Sequence, residues 1–164
     1  VAGGLKHEDS TGGGGTLYPG DVQRMSAGTG VNHSEFNGSD TQWLHLLQLW
    51  ILPKSKGIAP RYGEAHFTDA QKHNRLQAIA SRDGRDGSLE IHQDAEIYAS
   101  ILDNAQLTHP LEAGRIAYLQ LISGNLTVNG ETLTNGDAAK LRDETSVEIA
   151  GTGHFLLFDL PAQG

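Results

Sequence analysis

The sequence predicts an all-β fold built from short strands and tight turns. Glycine accounts for 21 of 164 residues, nearly twice its usual share of ~7%. The pairs Asn129-Gly130 and Asn135-Gly136 each lie between β-rich runs, and Asn-Gly is the strongest short-range signal for a hairpin. The apolar runs are short and closely spaced, which is typical of a β-barrel or a β-sandwich.

The composition excludes several function classes. The chain is 37% hydrophobic and 20% charged and has no long apolar run, which indicates a globular protein rather than a membrane or disordered one. Its net charge of −8, with only 12 Lys and Arg residues, argues against a nucleic-acid-binding surface. The absence of cysteine rules out disulfides, zinc–cysteine sites and thiol catalysis.

The first elements of the chain lead up to a short polar strand. We predict that residues 1–10 form the end of a strand and that the glycine-rich residues 11–15 form a hairpin loop. Residues 19–21, Pro-Gly-Asp, predict a tight turn, because proline presets φ and glycine accepts a positive φ. Residues 22–27 then predict a strand with alternating faces.

The next stretch holds the candidate metal ligands. A second glycine-rich turn, at residues 28–30, leads into a predicted strand at residues 31–35. His33 and Glu35 are two residues apart, so on an extended strand their side chains leave the same face, roughly 7 Å apart at Cα. An imidazole and a carboxylate that point the same way into a barrel provide half of a first-row metal site.

The middle of the chain combines the most apolar stretch with an irregular one. A polar turn is predicted at residues 36–40. Residues 41–52 predict a strand buried on both faces, with a short buried helix as the alternative. Pro53 ends that stretch. Residues 53–74 predict an irregular connection between two barrels, with a helical turn at residues 68–73.

The second half predicts further strands without metal ligands. Residues 82–87 alternate charge and glycine and predict a solvated turn. The run at residues 115–123 contains no histidine, and no H-x-E pattern follows Asp137. The predicted strands lie at residues 75–81, 89–92, 96–102, 114–124, 126–128, 138–141, 147–149 and 154–160, with another around Leu133.

One motif resembles a known family. The pattern QxMSAGxGVxHSE at residues 23–35 is preceded by HEDS at residues 7–10 and PGD at residues 19–21. It resembles the pirin family of bicupins, and within it the bacterial proteins associated with quercetin 2,3-dioxygenase activity. The resemblance covers nearly the whole chain, because it continues in LHLLQLWI, IAPRY, DGSL and LLFDLP, at residues 44–51, 58–62, 86–89 and 156–161.

The resemblance implies two cupin barrels (double-stranded β-helix, or jelly roll), the first of them incomplete. Residues 1–68 would form the partial N-terminal barrel with the metal-site half, and residues 69–164 the C-terminal barrel without metal ligands. In the family, a strand before the stretch matching residues 1–9 carries an H-x-H pair that supplies two further ligands, and this sequence has no counterpart of it. Because the first residue, Val1, is also not a translation start, we expect a fragment that is impaired or inactive.

The resemblance also implies roles for individual residues. The family holds a divalent metal with three histidines and one glutamate, and His33 and Glu35 match two of these ligands. The metal (Fe, Ni, Cu, Zn or Mn) would bind weakly or not at all to this pair alone. In the family's reaction the metal chelates a flavonol, and the glutamate that Glu35 matches acts as the catalytic base. Gln23 and Met25, which share one strand face, would line the pocket or pack the barrel.

Other interpretations remain open. Of the seven further histidines, His7 matches a non-ligand position near a strand end, and His45 is expected to be a hydrogen-bonded core residue. The alternative functions are a non-enzymatic metal-sensing or regulatory protein, and a fragment that dimerises through exposed strand edges. We expect a small flavonol-like substrate, no nucleic-acid or membrane partner, a cytoplasmic location and, as one option, a homodimer.

Overall fold

The all-β prediction is confirmed. A computed structural model of the chain describes residues 1–9, 13–28, 30–55 and 57–162, with Asp9 described by its backbone only. In this part of the chain there are twelve β-strands and one four-residue α-helix. Contacts divide the chain into two compact units, Val1–Phe67 with Ile91–Gln93, and Thr68–Glu90 with Asp94–Gly164. The assignment of residues 1–68 and 69–164 to two cupin domains stays a prediction.

The first unit contains five short strands in two antiparallel sheets. The strands are β1 (Leu5–Asp9), β2 (Gly14–Leu17), β3 (Asp21–Ser26), β4 (His33–Asn37) and β5 (Arg61–His66). One sheet has the order β2-β1-β4, and the other pairs β3 with β5. The predicted strands at residues 22–27 and 31–35 are therefore confirmed to within two residues.

Alternation along β1 defines the inner face of its sheet. Leu5 and His7 are buried, whereas Lys6 and Glu8 between and after them are exposed. The register places His7 opposite Gly15 on one side and opposite Glu35 on the other. Directly opposed residues of an antiparallel pair project from the same face, so His7 and Glu35 both lie on the inner face.

The prediction of a buried strand at residues 41–52 is wrong. This segment forms only an isolated bridge between His45 and Ala2, and no helix or strand. Trp43 and Trp50 are 92% and 89% exposed. The apolar composition indicates a preference for burial. A strand also needs a neighbouring strand to complete its backbone hydrogen bonds, and no described strand pairs with this segment.

Three other boundaries in the first unit also differ from expectation. Phe36 and Asn37 extend β4 and do not belong to a turn. Residues 11 and 12 of the predicted glycine loop and residue 29 of the second turn lie outside the described residues, whereas Gly14 and Gly15 belong to β2. The predicted irregular connection contains strand β5, whose mostly polar sequence RYGEAH gave no apolar signal.

The helical turn predicted at residues 68–73 is confirmed as α1 (Asp69–Lys72). Thr68 caps it, because its side chain accepts a hydrogen bond from the backbone N–H of Gln71 while the Gln71 side chain bonds the Thr68 backbone. This reciprocal arrangement is a capping box, which satisfies two amide groups that a helix start leaves without partners.

The second unit is a seven-stranded sheet around one apolar core. Its order is β10-β9-β12-β8-β6-β7, with β11 also paired to β9. The core consists mainly of Leu, Val, Ile and Phe side chains on β8, β9 and β12 and their neighbours. The strands are β6 (Gln77–Ser81), β7 (Leu89–Glu90), β8 (Glu96–Pro110), β9 (Arg115–Val128), β10 (Glu131–Thr134), β11 (Ala138–Leu141) and β12 (Ser146–Pro161).

Several strands predicted as separate are continuous in the structure. Gly124 does not end a strand but lies within β9, where its φ is +108° and an added Cβ would come within 2.3 Å of the Thr152 carbonyl oxygen. The register of β12 shifts between Gly151 and Gly153. These glycines therefore permit close backbone approach at a β-bulge, which the sequence pattern does not distinguish from a turn.

The part of the chain that the structure describes contains no helix with the length and apolar character needed to cross a membrane.

Candidate functional site

His33 and Glu35 lie on β4, two residues apart, and share the inner face with His7. Their side chains are 36% and 24% exposed, and His33 Nδ1 lies 3.8 Å from Glu35 Oε1. Gln48 donates a hydrogen bond from Nε2 to Glu35 Oε2 at 3.4 Å. One oxygen of the carboxylate is thus oriented by an amide, while the other faces the imidazole.

The residues Gln23 and Met25, predicted to line the pocket, lie on one face of the other sheet of this unit. The β3–β5 register places Gln23 opposite Glu64 and Met25 opposite Tyr62. Because opposed and alternate residues share a face, these four side chains project from the same side of the sheet. The sequence indicated only the first two, since β5 was not predicted.

His7 connects the two sheets of the first unit. Its side chain is 2% exposed, its ring stacks on Tyr62 with centroids 5.4 Å apart, and its two ring nitrogens approach three polar groups. Nδ1 lies 3.4 Å from Gln23 Nε2, and Nε2 lies 2.9 Å from the Tyr62 hydroxyl and 3.3 Å from Glu64 Oε1. The register of β1 with β2 and β4 turns this side chain inward, a burial that the sequence did not indicate.

The hydrogen bonds around His7 have one consistent direction. An amide nitrogen can only donate, so Gln23 donates to Nδ1, which leaves the proton of a neutral imidazole on Nε2. Nε2–H then donates to the Tyr62 oxygen, and the Tyr62 hydroxyl donates to Glu64. This chain, Gln23 to His7 to Tyr62 to Glu64, is hereafter the His7 network.

The residues that the structure brings together do not make a complete metal site. Among the described residues, no group of three or more His, Asp or Glu side chains is placed to hold a metal ion. Zinc sites in proteins use at least three protein ligands, and His33 with Glu35 provides two. His7 is not a third ligand in this arrangement, since both of its nitrogens already have partners.

A further acid–imidazole pair links Asp21 and His66 in the first unit. His66 Nδ1 lies 2.6 Å from Asp21 Oδ1, and the other Asp21 carboxylate oxygen accepts from the Tyr18 backbone N–H at 2.7 Å. Burial opposes ionisation of Asp21, but the hydrogen bonds from Tyr18 and His66 outweigh it and lower the pKa of this carboxyl. The pair holds the tight turn predicted at residues 19–21 against β5.

The second unit contains a charged network that the sequence did not indicate. His109 Nε2 lies 2.9 Å from Asp159 Oδ2, and Arg115 also pairs with Asp159. Arg85 pairs with Glu96 through both guanidinium NH groups, and this lowers the pKa of Glu96 to about 2 despite its partial burial. Arg85, predicted in a solvated turn, is therefore an ion-pair residue.

Two family models match the sequence. The model described as Pirin matches residues 1–51, and the model described as Quercetinase C-terminal cupin domain matches residues 78–160. The chain is also 41% identical, over 98% of its length, to a protein of Escherichia coli named quercetin 2,3-dioxygenase, and it covers 70% of that protein.

Solved structures are similar over the same range. The crystal structure of YhhW from Escherichia coli matches with a TM-score of 0.93 and 40% identity, over 99% of this chain and 70% of that one. A second structure of YhhW, a bacterial pirin in complex with nickel(II), matches with a TM-score of 0.92 and 39% identity, at the same coverage.

Proposed function

This chain belongs to the pirin family of cupin proteins, and from that membership we propose that it has the function of a quercetin 2,3-dioxygenase-type enzyme acting on a flavonol-like small molecule. The observation that carries the proposal is the 41% identity with a relative of that name along nearly the whole chain. It is supported by the position of His33 and Glu35 on a shared inner face, beside the face that carries Gln23 and Met25.

We assign His33 and Glu35 as two ligands of a divalent cation, and the nickel(II) complex of a relative supports this class of ion. The described residues provide no third ligand for that cation. For the same reason, we expect this chain to hold a cation weakly. Iron, nickel, copper, zinc and manganese all accept imidazole and carboxylate ligands, so the ligand types do not select among them.

Glu35 is the proposed base. Its carboxylate can accept the proton of a flavonol hydroxyl that approaches within about 3 Å, and general-base catalysis of this kind contributes roughly 10²–10⁴-fold in rate. Gln48 holds one carboxylate oxygen by a hydrogen bond, so the second oxygen, which faces His33, is the one that would bind the cation or accept the proton. Gln23 and Met25 would form part of the wall of the pocket, with Met25 providing an adaptable apolar surface.

Oxygen consumption with quercetin tests the proposal. The purified chain, saturated with Fe(II) or Ni(II), should consume oxygen slowly but above a protein-free metal control, because two ligands hold the cation weakly, and Glu35→Gln should reduce the rate to that of the control. Lys6→Gln, on the outer face of β1, is the matched control and should retain the wild-type rate. Saturable metal binding without oxygen consumption would overturn the enzyme assignment and favour a metal-sensing or regulatory protein.

A further inference from the structure

Tyr62 presents one aromatic face beside the candidate site. Its ring stacks on His7 with an interplanar angle of 23°, and the residue is nevertheless 41% exposed. With 41% of the residue exposed, part of the ring is open to contact with another flat group. Aromatic pairs of this kind prefer offset stacking or edge-to-face contact at centroid distances of about 4.5–7 Å.

The His7 network holds this ring in one orientation. The Tyr62 hydroxyl accepts a hydrogen bond from His7 Nε2 and donates one to Glu64. His7 in turn cannot rotate freely, because it is buried and Gln23 bonds its other nitrogen. Gly15 lies opposite His7 and leaves room for its ring. A Cβ atom at position 15 would lie only 3.3 Å from His7 Nε2, which is a tight contact. The fixed ring therefore loses little conformational freedom when a ligand stacks on it.

The position of the ring relative to Glu35 follows from the register. His7 contacts Tyr62 on one side and is the cross-strand partner of Glu35 on the other. Cβ atoms of such partners lie about 4.5–5.5 Å apart. Tyr62 and Glu35 are therefore both neighbours of His7, and we infer that one polycyclic aromatic ligand could contact both.

We propose that Tyr62 is a substrate-contacting residue that stacks a flat aromatic ligand and so selects planar flavonols over non-planar analogues. His7 and Glu64 are positioning residues that act through it. This inference rests on the proposed function, because the ligand class is the flavonol proposed there.

Binding of two ligands to the metal-saturated chain, measured by isothermal titration calorimetry, tests the inference. The probes are quercetin and its 2,3-dihydro derivative, which carries the same hydroxyl groups on a puckered central ring. Wild-type protein should prefer quercetin, and Tyr62→Leu should weaken quercetin binding by about 3- to 10-fold while leaving the dihydro derivative nearly unchanged. Tyr62→Phe keeps the ring but loses both hydroxyl contacts, so it should give an intermediate preference.

Phe36→Leu is the matched control, because Phe36 is 43% exposed and lies on the opposite face of β4 from Glu35. It should leave both affinities unchanged. If Tyr62→Leu weakens both ligands equally, or neither, the stacking role is overturned while the flavonol site stands. If the wild-type chain binds neither ligand, the proposed function and this inference both fail.

Discussion

His7 and Glu35 lie directly opposite each other on neighbouring antiparallel strands, and both point to the inner face of their sheet. His7 is buried and has both ring nitrogens in hydrogen bonds, whereas Glu35 remains partly accessible. His7 thus has a structural role, whereas Glu35 is accessible to a ligand. Their separate roles lead to different expectations for substitution.

Replacing His7 should destabilise the first unit. His7→Ala removes a buried ring and leaves the Gln23 amide and the Tyr62 hydroxyl without their shared partner, a loss of about 2–3 kcal/mol. Hydrogen exchange of the β1 and β5 amides should therefore accelerate markedly. The control is Glu8→Ala at the neighbouring exposed position, which should leave these rates unchanged.

Replacing His33 should remove metal and leave the fold intact. The His33 side chain is 36% exposed, so His33→Ala creates no cavity and should change stability by less than about 1 kcal/mol. Elemental analysis after equilibration with Ni(II) should show a loss of bound metal, with an unchanged far-ultraviolet circular dichroism spectrum. Metal content equal to that of the wild type would exclude His33 as a ligand. His66→Ala, at an exposed histidine paired with Asp21, serves as the control.

Acid should destabilise the second unit through Glu96. The pKa of this carboxyl is lowered from 4.5 to about 2 by Arg85, so its contribution is complete above pH ~4.5 and is lost as the pH falls towards 2. The contribution is on the order of 1–3 kcal/mol. The pKa of Asp159 is also lowered, because hydrogen bonds from His109 and Arg115 outweigh the effect of its burial, and this acts in the same direction.

Thermal denaturation between pH 7 and pH 2 measures this dependence. Glu96→Gln should lower the melting temperature at pH 7 and flatten the profile between pH 4.5 and pH 2. A variant with the same slope as the wild type in that range would assign acid sensitivity to other carboxyls.

The exposed apolar segment at residues 41–52 should cause self-association. Trp43 and Trp50 offer large apolar surfaces to solvent, and β2 and β4 are sheet edges in the described part of the chain. Light scattering coupled to size exclusion should show a mass that rises with concentration. The double variant Trp43→Ser/Trp50→Ser should weaken association by at least about 10-fold, and Tyr18→Ser, at an exposed aromatic outside the segment, should not.

The shared face of His33 and Glu35 could be predicted from the sequence, because alternate residues of any β-strand project from the same face. The positions of Tyr62 and Glu64 could not be predicted in this way. Their strand, β5, is short, mostly polar and preceded by Pro60, so it shows no alternation of apolar residues. The burial of His7 cannot be predicted from local sequence, because it depends on the register of β1 with β2 and β4, which is a tertiary property. The ion pairs of Arg85 and Arg115 join residues 11 and 44 positions apart, beyond the reach of any local pattern.

Both tryptophans of the chain are in the first unit, at positions 43 and 50, and both face solvent. Intrinsic fluorescence excited at the indole band therefore reports on that unit alone, while the second unit contributes only tyrosine and phenylalanine emission. The tryptophan fluorescence of the unmodified protein is therefore a specific probe of the unit that contains His33 and Glu35. Quenching or a blue shift of that emission would register any ligand or partner that covers the segment between the two indoles.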